Sequence, residues 1–171
     1  NNEAFAVLLA DDLIDSTIPC LKQMLAIYQE KQSTIIAVQA TSPEESEQYG
    51  IIGYKVKTGR LSQINNIIEK PSHKEAPSNL AVVGRYILNS TIFPYLSTTA
   101  VGKGGEIQLT DAIARQLQDE IMHAWEFEGV RYDCGSKLGY LKATIAFALK
   151  HPETKKPFKK KKKNFNTNSI I

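Results

Sequence analysis

Phe5-Ala-Val-Leu-Leu-Ala10, closed by Asp11-Asp12, is the stretch from which the fold is read. An unbroken apolar run of that length reads as a strand buried on both faces, the pattern of a parallel sheet, and the two aspartates end it. A buried strand takes a neighbour on each side. Because this one stands almost at the amino terminus, further sequence is expected upstream of it.

Outward from the strand, Asp15-Ser16-Thr17 offers helix caps, and Leu21, Met24, Leu25 and Tyr28 recur at helical spacing as far as Gln32. Thr34-Ile-Ile-Ala-Val-Gln-Ala40 follows at once as a second strand. Strand, helix and strand in that order predict a right-handed crossover, with the two strands parallel and their carboxyl ends on one rim. Asp11 and Asp12 then stand where open α/β sheets bind ligands. Ser42-Pro43-Glu44-Glu45 predicts a short helix with proline at its first position and Glu45 placed for a capping box. The segment from Tyr49 to Lys57 alternates, turns at Thr58-Gly59 and returns from Arg60 to Ile68 as a hairpin. A polar loop after Glu69-Lys70-Pro71 leads to a strand over Ser78 to Leu88 that contains Gly84. Helices are predicted over Ser90 to Leu96 and over Leu109 to Glu120, the latter capped through Thr110-Asp111, with a strand over Met122 to Glu128. Gly135-Ser136 opens an amphipathic helix with Leu138, Leu141, Ile145, Ala148 and Leu149 on one face, and Pro152 stops it.

A chain of 171 residues with 42% hydrophobic and 23% charged side chains supports one globular core. One domain is expected over 1–152, followed by a solvated, mobile tail over 153–171. The formal net charge of +3 comes largely from the lysines between Lys155 and Lys163. That run lacks the interleaved aromatics or base-reading module of a nucleic-acid binder, so no nucleic-acid partner is expected. Cys20 and Cys134 lie far apart with no CxxC spacing, so a disulfide framework is not expected and a cytoplasmic location is. No apolar run approaches the ~20 residues of a membrane helix.

Leu9-Ala-Asp-Asp12, Tyr49-Gly50, Ile68-Glu-Lys-Pro71, Ala76-Pro-Ser-Asn-Leu-Ala-Val-Val-Gly-Arg-Tyr86, Gly105-Glu-Ile-Gln-Leu-Thr-Asp-Ala112 and Tyr132-Asp-Cys-Gly-Ser-Lys-Leu-Gly-Tyr140 occur in this order. With that order and spacing, the chain from Phe5 to Pro152 resembles the bacterial UTP:glucose-1-phosphate uridylyltransferases. Related thymidylyl and cytidylyl enzymes share the Asp, Glu-Lys-Pro and Asp-x-Gly elements, and the wording of the longer strings favours the uridylyl branch. The resemblance implies an α/β fold, a Rossmann-like mixed sheet of the nucleotide-diphospho-sugar transferase type. The family's amino-terminal GxGTR loop, its basic PK element and its uracil-reading segment have no counterpart here. The amino-terminal part of the fold is therefore expected to be missing, and the isolated chain to be inactive alone.

The resemblance further implies UTP and glucose 1-phosphate as substrates, Mg²⁺ as cofactor and a homo-oligomer when full length. It makes Asp11 and Asp133 the metal ligands and, with Lys70, the catalytic set. Glu69 would bind glucose hydroxyls, Lys70 the sugar phosphate, and Gly50 with the backbone at Val83 and Gly84 would meet the sugar ring. Taken as residues alone, Asp11 has the alternative reading of a capping or loop aspartate, Asp133 of a turn residue, Glu69-Lys70 of an exposed charged pair, and the glycines of turn and strand glycines. Asp12 reads as a supporting or capping residue rather than a ligand. His73, His123 and His151 show no ligand spacing, Glu106 and Asp111 read as structural, and Trp125 as core. A thymidylyl or other sugar nucleotidyltransferase is one alternative. A truncated subunit or gene fragment that binds sugar phosphate without catalysis is another.

Overall fold

The computed structural model describes residues 3–102 and 105–167, with side chains through 160. Contacts divide the chain into two compact units, 1–10 with 16–129 and 11–15 with 130–171, a division that does not fall at residue 152.

The larger unit is built on a six-stranded sheet. Its strands are β1 (Ala4–Leu8), β3 (Ile35–Ala40), β4 (Gly50–Thr58), β5 (Leu61–Glu69), β6 (Leu80–Asn89) and β7 (His123–Glu126), in the order β1-β6-β3-β7-β5-β4. β3 pairs parallel with β7, and the remaining pairings are antiparallel, so the sheet is mixed. The strand buried on both faces is β3, where Ile35, Ile36, Ala37 and Val38 are all 0% exposed. β1 is an edge strand instead. Phe5 and Val7 pack on the core, Phe5 stacking on Phe93 at 5.2 Å, while Leu8 is 52% exposed. An apolar run signals burial but does not say how many neighbours supply it, and among the described residues β6 is the one neighbour. β1 and β3 do point the same way, because both run antiparallel to the β6 between them, but they are not paired.

Helices α1 (Cys20–Lys31), α2 (Ile92–Thr98) and α3 (Leu109–Gln116) belong to this unit. Met24, Ile92, Ala112 and Ile113 are each 0% exposed. Two expected caps are replaced. Pro19 precedes α1 with no side-chain cap, and Gln108 precedes α3 while Thr110 is buried within its first turn. Glu45 does close half of its box, accepting from the Ser42 N–H at 3.2 Å, over a 3₁₀ turn at Glu44–Gln48.

The smaller unit pairs β2 (Asp12–Asp15) antiparallel with β8 (Val130–Asp133), then continues into α4 (Lys137–Lys150) and α5 (Pro152–Thr167). Neither strand was read from the sequence. Ser136 caps α4, its Oγ accepting from the Gly139 N–H at 3.0 Å. A Cβ on Gly139 would overlap the carbonyl oxygen of Asp133, so only glycine permits this approach of helix to strand. The apolar face expected of α4 is largely in solvent, with Leu138, Leu141 and Ile145 at 61%, 56% and 45% exposed, and Ala143 is the buried residue of the helix. α4 ends where Pro152 was expected to stop it, at Lys150 with His151 as its C-cap, and Pro152 then begins a second helix, as a proline tolerated in a first turn does. The segment expected to be a tail from 153 is helical as far as Thr167, with its described side chains mostly exposed, and 168–171 lie outside the described residues.

Candidate functional site

The smaller unit brings Asp11 and Asp133 together. Asp11 sits in the turn before β2 and accepts the Cys134 N–H on its carbonyl at 2.7 Å, extending the β2–β8 ladder by one contact. Asp133 ends β8, with its Oδ1 accepting from the Gly135 N–H at 3.0 Å and its carbonyl from Ser136 Oγ at 3.1 Å. The two carboxylates converge on one point, since a Cβ on Gly135 would stand 3.1 Å from Asp133 Oδ1 and 3.3 Å from Asp11 Oδ2. Asp12, directly opposite Asp133 in the ladder, is 5% exposed and is ion-paired to the Arg131 guanidinium.

Two convergent carboxylates are hard oxygen donors of the kind Mg²⁺ takes when it keeps most positions for phosphate and water. No group of three or more His, Cys, Asp and Glu placed to enclose a metal occurs among the described residues. The histidines supply no ligand set. His123 Nδ1 is bonded to Ser33 Oγ at 2.8 Å, and burial holds its pKa below the usual value.

The larger unit brings Gly50, Glu69 and Lys70 together at one end of the β4–β5 hairpin. Gly50 is paired with Glu69 across the ladder. Lys70 Nζ lies 3.8 Å from Glu69 Oε1, and the Lys70 N–H donates to the Tyr49 carbonyl at 3.1 Å. Lys70 has φ of 45°, a left-handed backbone unusual for a residue with a side chain, held immediately before Pro71. Strain of this kind concentrates at functional positions.

Thr110 is the residue that sequence reasoning missed. It had been assigned to a cap, yet it is 8% exposed and its hydroxyl has no hydrogen-bond partner among the described residues. A Cβ on Gly50 would lie 3.2 Å from Glu69 Oε2 and 3.4 Å from Thr110 Oγ1, so a carboxylate and a hydroxyl flank a position where a side chain is absent. The signal available was a polar residue inside the apolar pattern Leu109, Ala112, Ile113, which a cap does not require.

Val83 and Gly84 fall at an irregularity of β6. Between the pairs Ile36–Tyr86 and Val38–Val82, β3 supplies one residue and β6 three, and such bulges re-aim a strand. The Gly84 carbonyl accepts from the Leu9 N–H at 2.9 Å and from the Arg85 guanidinium at 2.7 Å. Asp111 Oδ2 would be 2.8 Å from a Cβ on Gly102, Glu106 is exposed, and Trp125, expected in the core, is half-buried with its Nε1 donating to Gln23 at 3.2 Å. Among the described residues no helix is long and apolar enough to cross a membrane.

The family described as Nucleotidyl transferase matches residues 1–149. The UTP--glucose-1-phosphate uridylyltransferase of Staphylococcus epidermidis is 46% identical over 158 residues, covering 92% of this chain and 55% of that protein. Among solved structures, a UDP-glucose pyrophosphorylase complexed with UDP-glucose superimposes with a TM-score of 0.84 at 45% identity, over 88% of this chain and 58% of that one. A UTP-bound UGPase from Acinetobacter baumannii gives 0.82 at 39% identity, over 93% and 55%. The chain thus spans about half the length of the curated relatives it matches.

Proposed function

The chain belongs to the nucleotidyl transferase family, and on that premise we propose that it carries the sugar-phosphate and metal parts of an enzyme forming UDP-glucose and pyrophosphate from UTP and glucose 1-phosphate. The observation that carries this reading is the convergence of Asp11 and Asp133 at Gly135.

The reaction is an in-line attack of a sugar-phosphate oxygen on the α-phosphorus of the nucleotide, with pyrophosphate leaving. It needs no protein nucleophile, so positioning and charge compensation do the catalysis. Glu69 accepts hydrogen bonds from sugar hydroxyls, and Gly50 leaves the ring room against it. Thr110 places its hydroxyl beside the same space. Lys70 offers a compact cation to the sugar phosphate from a backbone held in place by Pro71. Asp11 and Asp133 would hold Mg²⁺, which when bound offsets the charge of two polyanions brought together. Identity to uridylyltransferases across nearly the whole chain supports glucose and uridine over a thymidylyl partner.

Calorimetry on the 171-residue chain tests the assignment of the sugar half. Glucose 1-phosphate is expected to bind weakly, at ~1 mM or above, which corresponds to about 4 kcal/mol. UTP is expected to bind far more weakly, because no triphosphate cradle is recognisable in this sequence. Tight UTP binding without metal would overturn this division of the site.

A further inference from the structure

We propose that Gln23 is a positioning residue for the Asp11–Asp133 pair, its carboxamide stapling together the two connections that lead into the β2–β8 ladder and so setting the register of that ladder. The inference rests on the reading of Asp11 and Asp133 as metal ligands and goes beyond it.

β2 and β8 form a two-stranded sheet, and no hairpin turn joins them. In a hairpin the turn sets the register, and a slip of one residue sends every side chain to the other face. Here such a slip would part Asp133 from its place opposite Asp12 and beside Asp11. Without a turn, the register is open to control from the end where the strands connect to the rest of the chain. That end is the pair Asp15–Val130, and the chain passes between the two units at 15–16 and again at 129–130. Gly129, at φ of 147°, takes a backbone conformation that glycine reaches freely, so the second passage has little stiffness of its own.

Gln23, in the larger unit, binds main chain at both connections. Its Nε2 donates to the Ile18 carbonyl at 2.7 Å and to the Glu128 carbonyl at 2.9 Å. Its Oε1 accepts from the Glu128 N–H at 2.8 Å and from Trp125 Nε1 at 3.2 Å. Both donors and both lone pairs of the carboxamide are thus engaged. Glu128 gives its N–H and its carbonyl to one side chain, as a residue of a hydrogen-bonded pair gives them to a neighbouring strand. The staple is anchored in turn, because Gln23 precedes Met24 on α1 and Trp125 follows Ala124 on β7, and Met24 and Ala124 are both 0% exposed. One planar group therefore holds Ile18 and Glu128 at a fixed separation, and β2 runs into the first while β8 starts beyond the second.

Mn²⁺ titration of the 171-residue chain by water-proton relaxation, joined to amide exchange followed by NMR, tests the staple without any turnover. The Cys134 N–H, bonded to the Asp11 carbonyl, reports the ladder beside the carboxylates, and the Ile64 N–H, bonded to the Met122 carbonyl, reports the core. Gln23→Ala places a good helix former in α1. It is expected to speed Cys134 exchange about tenfold through local opening, with Ile64 exchange as in the parent. Mn²⁺ binding should weaken about fivefold, less than for loss of a group bonded directly to a ligand. Gln23→Glu has the same length but loses both donors, and is expected to do the same. Ile36→Val, which removes a core methylene, is expected to leave Mn²⁺ affinity and Cys134 exchange unchanged. Parental Cys134 exchange or parental Mn²⁺ affinity in the two Gln23 variants, or equal losses in Ile36→Val, overturns the staple but not the ligands. A parent chain that binds Mn²⁺ no better than an Asp11→Asn, Asp133→Asn variant overturns both readings.

Discussion

The two units hold their candidate residues by different physics. Glu69 and Gly50 stand at the end of long strands whose neighbours Ile51, Ile52 and Ile67 are 0%, 0% and 4% exposed, so dispersion and burial fix them. Asp11 stands in the turn before a strand of four residues, and Asp133 ends another of the same length. In their unit Asp12 and Ala143 are the buried residues among those described, and main-chain bonds, an ion pair and a glycine contact set the geometry. Hydrophobic burial is non-directional and tolerant of small displacement, whereas hydrogen bonds and ion pairs are directional and lost all at once. The sugar corner is therefore expected to respond to core volume, and the metal corner to single polar atoms.

The largest effect expected is at the metal corner. In the full-length protein, Asp133→Ala should lower Mg²⁺-dependent pyrophosphate release by ~10³-fold or more, because a polyanionic transition state loses one tether of its counterion. Unchanged turnover would remove Asp133 from the site. In the other unit the matching disruption lies in the core. Ile52→Ala should cost about 3 kcal/mol of stability in urea unfolding, from lost transfer energy and a cavity among tightly packed neighbours. A change below about 1 kcal/mol would mean that β4 is not anchored by burial and would erase the contrast between the units.

Smaller effects refine the sugar corner. Lys70→Ala should raise the half-saturating glucose 1-phosphate concentration by an amount worth about 2 kcal/mol, the scale of one charge-assisted contact. An effect confined to UTP would reassign the lysine. Thr110→Val keeps the shape and removes the hydroxyl, and should weaken glucose 1-phosphate by about 1 kcal/mol while leaving UTP unchanged. Restoration by Thr110→Ser would show that the oxygen matters rather than the packing, and equal affinity in all three forms would return Thr110 to a structural role.

The same contrast explains what the sequence made legible. β3, the β4–β5 hairpin and β6 announce themselves through period and turn residues, because each is long enough for its pattern to show. β2 and β8 carry four residues apiece and pair across more than a hundred positions of chain, so their existence depends on a partner that no local window contains. Asp11, Asp133, Glu69 and Lys70 were reached by likeness of strings, and the structure brings Asp11 near Asp133 in one unit and Glu69 near Lys70 in the other. The Asp12–Arg131 contact was not reached, since Arg131 looks like any other surface cation until the register puts it diagonal to Asp12. Thr110 was missed for the opposite reason. A threonine ahead of an aspartate at a helix start fits the cap rule so well that its burial went unanticipated.

Lys70 shows where directed evolution of this protein would divide. A side chain at φ of 45° carries a local conformational penalty that glycine does not. Lys70→Gly should therefore raise thermal tolerance, by on the order of 0.5 kcal/mol once the freedom of the unfolded glycine is counted, while discarding the cation offered to the sugar phosphate. A library screened for survival on heating should enrich glycine at this codon, and one screened for product should retain lysine. Sequencing the two surviving pools would show the position pulled in opposite directions, and enrichment of lysine in both would mean that its backbone is at ease.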